Sequence, residues 1–115
     1  MKPACLGVDM IETRKARRIY RQSPESAARL LTRHEASYLE KSKNPEDDFA
    51  LMLAAKEAIF KTLKSSWMGM SGFQNIEINL EGSGRGQARL CSSPKNPQEF
   101  YYLKQKRYVL VWSLS

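Results

Sequence analysis

Asn44-Pro45-Glu46-Asp47-Asp48 is the strongest helix start in the chain, and the segment it opens limits the possible architectures more than any other stretch. An amide side chain suited to capping, a proline in the first turn and three acids well placed against the helix dipole open a helix expected to run to about Lys64. Phe49, Met52, Leu53, Phe60 and Leu63 recur at helical spacing as a buried stripe, while Ala50, Ala54, Ala55 and Ala58 allow other backbone to approach closely. After Gly69 and Gly72 the period changes to two, with Ile76, Ile78 and Leu80 alternating with Asn75, Glu77 and Asn79. A long apolar-faced helix followed by half-buried strands needs a sheet to cover that face.

The other elements fit around this pair. Residues 4–10, Ala-Cys-Leu-Gly-Val-Asp-Met, are short and apolar and predict a buried strand whose end carries Asp9. A basic helix follows from about Glu12 to Gln22. Ser23-Pro24-Glu25 supplies a cap, a proline and a first-turn acid for a short helix through Leu31. Thr32-Arg33-His34-Glu35 is a capping box that starts another, through about Lys41. Beyond the long helix, Glu81-Gly82-Ser83-Gly84-Arg85-Gly86 turns the first strand into a partner around Ala88 to Ser92, and a second hairpin joins Phe100–Leu103 to Tyr108–Leu114. One strand, a helical block and four strands predict a single α+β domain over residues 1–115, a mostly antiparallel sheet packed on a long helix.

No apolar run approaches the roughly 20 residues of a membrane span, and Met1 to Asp9 lacks the apolar core of a secretory signal. The chain is therefore expected in the cytoplasm, away from the membrane. Cys5 and Cys91 read as small core or strand residues in a reducing compartment, with no disulfide. The net charge of +7 calls for a negatively charged partner. Arg14, Lys15, Arg17, Arg18 and Arg21 crowd into eight residues just after Asp9. For any one of them a solvated helix face is the plainer reading.

His34, the only histidine, sits just inside a helix start and reads as exposed, which removes Ser-His-Asp and Cys-His hydrolysis. The Gly82–Gly86 segment lies between strands, so it is a hairpin turn and not a phosphate loop. Tyr101, Tyr102 and Tyr108 interleave with Lys104, Lys106 and Arg107, a pattern that suits stacked single-stranded bases. Edge-strand aromatics guarded by lysines account for it without nucleic acid. Glu57 and Lys61, four apart on the long helix, are on frequency alone a surface pair worth about 0.3–0.5 kcal/mol. Asp9 at a strand end gives them another use, since two carboxylates and an ammonium suit a divalent metal and a phosphate.

Gly7-Val8-Asp9, the basic helix, Leu31-Thr32-Arg33-His34-Glu35, then Phe49 and Ala54-Ala55-Lys56-Glu57-Ala58 with Lys61 together resemble the 4'-phosphopantetheinyl transferases of the small holo-acyl-carrier-protein synthase type. The resemblance implies transfer of the phosphopantetheine arm of coenzyme A to a serine of an apo acyl carrier protein, releasing adenosine 3',5'-bisphosphate. By the same resemblance Asp9 and Glu57 are Mg²⁺ ligands, Lys61 a catalytic and phosphate-binding residue, and Glu57 the acceptor of the serine proton. Lys64, Ser65 and Lys104 are expected to hold the coenzyme, and Arg14, Lys15, Arg18, Arg21 and Arg29 the carrier. It also implies a homotrimer with active sites between subunits, one chain giving Asp9 and its neighbour the helix with Glu57.

Three positions depart from the family pattern. Lys64-Ser65-Ser66-Trp67-Met68-Gly69 stands where a glycine-rich loop is usual, Met52 replaces a common arginine, and Tyr101-Tyr102-Leu103-Lys104 replaces Ser-x-x-His, with Lys104 at the histidine position. A catalytically degenerate member that binds a carrier protein without transfer is the alternative reading.

Overall fold

The computed structural model describes residues 5–63, 73–91 and 93–114. Strand β1 (Leu6–Glu12) leads into helices α1 (Thr13–Gln22), α2 (Pro24–Arg29), α3 (Arg33–Lys41) and α4 (Pro45–Thr62), and strands β2 (Ile76–Gly82), β3 (Arg85–Leu90), β4 (Ser93–Lys104) and β5 (Tyr108–Leu114) follow. The five strands form one antiparallel sheet in the order β1-β5-β4-β3-β2. The expected α+β architecture is present, with the first strand joining the last.

Helix α4 crosses one face of this sheet against β1 and β5, and α1 and α3 lie along its other sides. Residues 49–56 of α4 are therefore buried on every side, which extends the one-sided stripe read from the sequence. Phe49, Leu51 and Met52 fill the space between the layers together with Ile76, Ile78, Phe100, Val109 and Val111. The helix stops two residues earlier than expected. Thr62 turns its hydroxyl back to the Ile59 carbonyl at 2.7 Å, and the Leu63 amide bonds to Phe60 in a tightened last turn.

Neither Ser23 nor Asn44 caps its helix with its side chain. At α4 the Ser42 hydroxyl takes over, accepting from the Asn44 amide at 3.1 Å and donating to Asp48. The capping box at Thr32 and Glu35 is formed in both directions.

Strand β1 runs three residues beyond Asp9, because pairing with β5 continues to Glu12 opposite Tyr108 and the Thr13 amide then bonds to Arg107. Asp9 thus sits in mid-strand, not at its end. The β2–β3 turn takes Gly82, Ser83 and Gly84 through positive φ, as a tight hairpin requires. Cys5 and Cys91 are not joined in a disulfide, and Cys91 lies exposed in the turn after β3, not in the core or a strand. Among the described residues no helix is long and apolar enough to cross a membrane.

Candidate active site

Alternation along β1 turns Gly7, Asp9 and Ile11 towards α4. A Cβ at Gly7 would lie 2.0 Å from the Ala58 carbonyl oxygen and 2.8 Å from Thr62 Cγ2, so only glycine lets the strand rest on the last turns of the helix. That close approach carries Asp9, two residues on and on the same face, to the turn of α4 that bears Glu57 and Lys61. Lys61 Nζ donates to the Val8 carbonyl at 2.8 Å and to Asp9 Oδ1 at 3.2 Å. The Asp9 side chain is 20% exposed and that of Lys61 51%, so the cluster opens to solvent on the lysine side.

Burial pushes the Glu57 carboxyl above the usual range; the nearby Asp9 charge adds to this and Lys61 opposes it. Two carboxylates held close enough to repel one another, with one ammonium beside them, favour a bound cation. Among the described residues no three His, Cys, Asp or Glu side chains form a group that could hold a metal ion by themselves. The donor set at this site is Asp9 and Glu57. Both supply hard oxygens, and a set this small suits an ion that completes its shell with water and phosphate oxygens.

The three residues meet within one chain, which corrects the expectation that a neighbouring subunit supplies the helix with Glu57. The physical reason is the Gly7–Ala58 contact, which joins β1 to its own α4. Lys104 stands elsewhere, bonded at 3.3 Å to Asp48, nine residues before Glu57 or about 14 Å along α4. Lys64 and Ser65 lie outside the described residues. Met52, at the position where the family has an arginine, is 1% exposed and belongs to the core.

On α1, Arg14, Lys15 and Arg18 are exposed, as is Arg29 at the end of α2. Arg21 is exposed too but already paired, its Nε 2.6 Å from Glu46 Oε1, and Arg17 bonds to Asp47 at 2.8 Å. The acids that open α4 thus engage two of the five cations on α1.

A second ionic centre went unread in the sequence. Lys56, one residue before Glu57, is fully buried on another side of α4 and places Nζ 2.6 Å from Glu35 Oε1. It also donates to the carbonyls of Leu30 and Phe73 at 2.7 and 2.6 Å. Glu35 accepts from the amides of Thr32 and Ile78. Burial raises the Glu35 carboxyl and lowers the Lys56 ammonium, while each partner opposes the other's shift. The available signal was a lone cation inside the apolar run Leu51 to Ile59. A charge there requires a partner.

Residues 5–113 match the family described as the 4'-phosphopantetheinyl transferase superfamily. A holo-[acyl-carrier-protein] synthase of Caldanaerobacter subterraneus subsp. tengcongensis is 30% identical over 100 residues, spanning 82% of this chain and 78% of its own. Among solved structures, holo-[acyl-carrier-protein] synthase from Neisseria meningitidis has a TM-score of 0.76 at 20% identity, over 96% of this chain and 95% of that one. The coenzyme A complex of the Chronobacterium ammoniagenes protein has a TM-score of 0.77 at 15% identity, over 98% and 96%. At these identities the two structures show a shared fold.

Proposed function

The chain belongs to the 4'-phosphopantetheinyl transferase superfamily, and from that premise we propose that it is a holo-[acyl-carrier-protein] synthase using coenzyme A as co-substrate. The observation that carries the reading to particular residues is the convergence of Asp9, Glu57 and Lys61 where β1 crosses α4. In the reaction the serine oxygen of the apo carrier bonds to the phosphorus that bears the pantetheine arm. The bond from that phosphorus to the bridging oxygen breaks, and adenosine 3',5'-bisphosphate leaves.

Asp9 and Glu57 would hold Mg²⁺, which when bound supplies positive charge against the phosphate oxygens. Lys61, anchored on the Val8 carbonyl, presents an ammonium to the same region as a point charge. Glu57, held above the usual carboxylate range, is the group suited to accept the serine proton. Arg14, Lys15, Arg18 and Arg29, exposed and without an ion-pair partner among the described residues, offer cationic side chains on the neighbouring helices for an acidic carrier surface, consistent with the net charge of +7.

The same reading takes the protein as a cytoplasmic homotrimer. Self-association is supported by the sheet face turned away from α4, where Leu6, Val8 and Met10 of edge strand β1 lie beside Leu114, Trp112 and Leu110 of β5. Tyr101 stacks on Trp112, and Leu103 continues the patch on β4. A continuous apolar surface of this kind marks an interface on a soluble protein.

The test is mass spectrometry of an apo acyl carrier protein after incubation with coenzyme A, Mg²⁺ and this protein. Gain of the phosphopantetheine mass is expected, abolished in Asp9→Ala and Glu57→Ala. No transfer to any of a panel of carriers, or full transfer by both variants, overturns the reading.

A further inference from the structure

The cations of α1 are not equivalent. At 3.6 residues per turn, Arg17, Arg21, Arg14, Arg18 and Lys15 spread in that order across about 160° of the helix surface. Thr13 and Ala16 lie opposite, buried. The Arg17–Arg21 border of this arc faces the first turn of α4. There Arg21 Nε is 2.6 Å from Glu46 Oε1 and Arg17 contacts both Asp47, at 2.8 Å, and Glu46, at 3.8 Å. The contact with Glu46 holds the Arg21 guanidinium above its ordinary value. Arg14, Lys15 and Arg18 have no such partner among the described residues. Two of the five cations, at one border of the arc, are therefore neutralised from within the chain, and the other three are open.

We infer that Glu46 and Asp47 are specificity-determining residues of the carrier dock, acting as internal competitors for Arg21 and Arg17. An acidic partner meets full cationic charge on Arg14, Arg18 and Lys15 and engages the α4 border only by displacing a carboxylate. Carriers whose acids reach no further than the open sector dock without that competition, and those that need the whole arc are disfavoured. The same acids serve the helix dipole of α4, so their charge is maintained for two reasons. The inference rests on the proposed carrier-transfer function for the identity of the partner.

The experiment compares the KM for an apo acyl carrier protein with the KM for coenzyme A in the unaltered protein, Glu46→Gln, Arg21→Ala and the double variant. Exposed ion pairs of this type are worth little. Glu46→Gln is therefore expected to lower the carrier KM about two- to fivefold, without a matching change in the KM for coenzyme A. Arg21→Ala should raise the carrier KM more strongly in the Glu46→Gln background than alone. Asp47→Asn, acting on Arg17, provides the same comparison if Glu46→Gln impairs folding.

A carrier KM that stays level or rises on losing Glu46, or an equal Arg21→Ala effect in both backgrounds, overturns the inference. Binding of poly-L-glutamate, titrated against salt, reads the same competition without transfer. Failure to modify any carrier would thus refute the proposed function, and the polyanion titration would still decide for or against the internal competitor.

Discussion

Replacing Lys56 with methionine removes an ammonium but little side-chain length, and leaves the fully buried Glu35 without its counter-ion. Glu35 keeps the Thr32 and Ile78 amides, but burial already pushes its carboxyl above the usual range. Without Lys56 the carboxylate takes up a proton. Holding that proton at pH 7 on a group of ordinary pKa 4.5 costs about 3.4 kcal/mol relative to the ionised unfolded chain. The Leu30 and Phe73 carbonyls lose a donor, at about 1 kcal/mol each, and burial of the methionine offsets part of this. The net falls within the roughly 3–5 kcal/mol that breaking a buried ion pair costs. A domain of this size has about 5–15 kcal/mol in all.

At about 4 °C per kcal/mol for a chain of this length, Tm at pH 7 should drop by about 12–20 °C in differential scanning calorimetry. The sign of the pH dependence is set by the raised carboxyl. Its stabilising contribution is complete below pH 4.5 and is lost as pH rises through the folded value. The deficit of Lys56→Met, in which the opposing ammonium is gone, should therefore shrink on acidification from pH 7 towards the ordinary carboxylate range. Adding Glu35→Gln, which removes the charge but keeps an acceptor for only one of the two amides, bonded as they are to different oxygens, should recover part of the loss at pH 7. A single variant within 3 °C of the unaltered protein (against the roughly 12 °C expected), or a deficit that does not shrink on acidification, would refute the reasoning.

Gly7→Ala should destabilise by about 3 kcal/mol, because the added methyl meets backbone at Ala58, which cannot swing aside as a side chain could. Transfer activity at 15 °C, where the variant remains folded, should fall with it as Asp9 is moved off α4; a fully active Gly7→Ala protein counts against the assembled site. Trp112→Glu, placed between Val8 and Tyr101 on the outer sheet face, should convert the assembled protein to monomers in chromatography with light scattering. An unchanged mass for the variant, or a monomeric unaltered protein, counts against that face as the interface.

The elements legible in the sequence were those specified by local chemistry. The capping box at Thr32 predicts α3 to the residue, because both of its hydrogen bonds lie within four positions. The glycines at 82 and 84 mark a turn whose φ values few other residues adopt. What local reading mistook was set by partners far along the chain. β1 extends to Glu12 only because β5, about a hundred residues later, continues to offer backbone groups as far as Tyr108. The length of β4 is likewise a property of its pairing with β3 and β5.

The site divides along the same line. Glu57 and Lys61 could be set on one helical face by counting, and Gly7 and Asp9 on one strand face by alternation, but their meeting depends on the missing Cβ at Gly7. The sequence displays that glycine without saying which helix it admits. Resemblance had divided Asp9 and Glu57 between subunits, and the strand–helix contact places them in one. Lys56 shows the converse. Its neighbours in the apolar run made a partner obligatory, yet the partner was a capping residue 21 positions earlier whose local role was already complete. One carboxylate thus closes the start of α3, holds the Ile78 amide of β2 and neutralises the cation next to Glu57. Loss of Lys56 should consequently disturb β2 and α4 together, and Glu35→Gln, with a single acceptor oxygen, should leave either the Thr32 or the Ile78 amide unpaired.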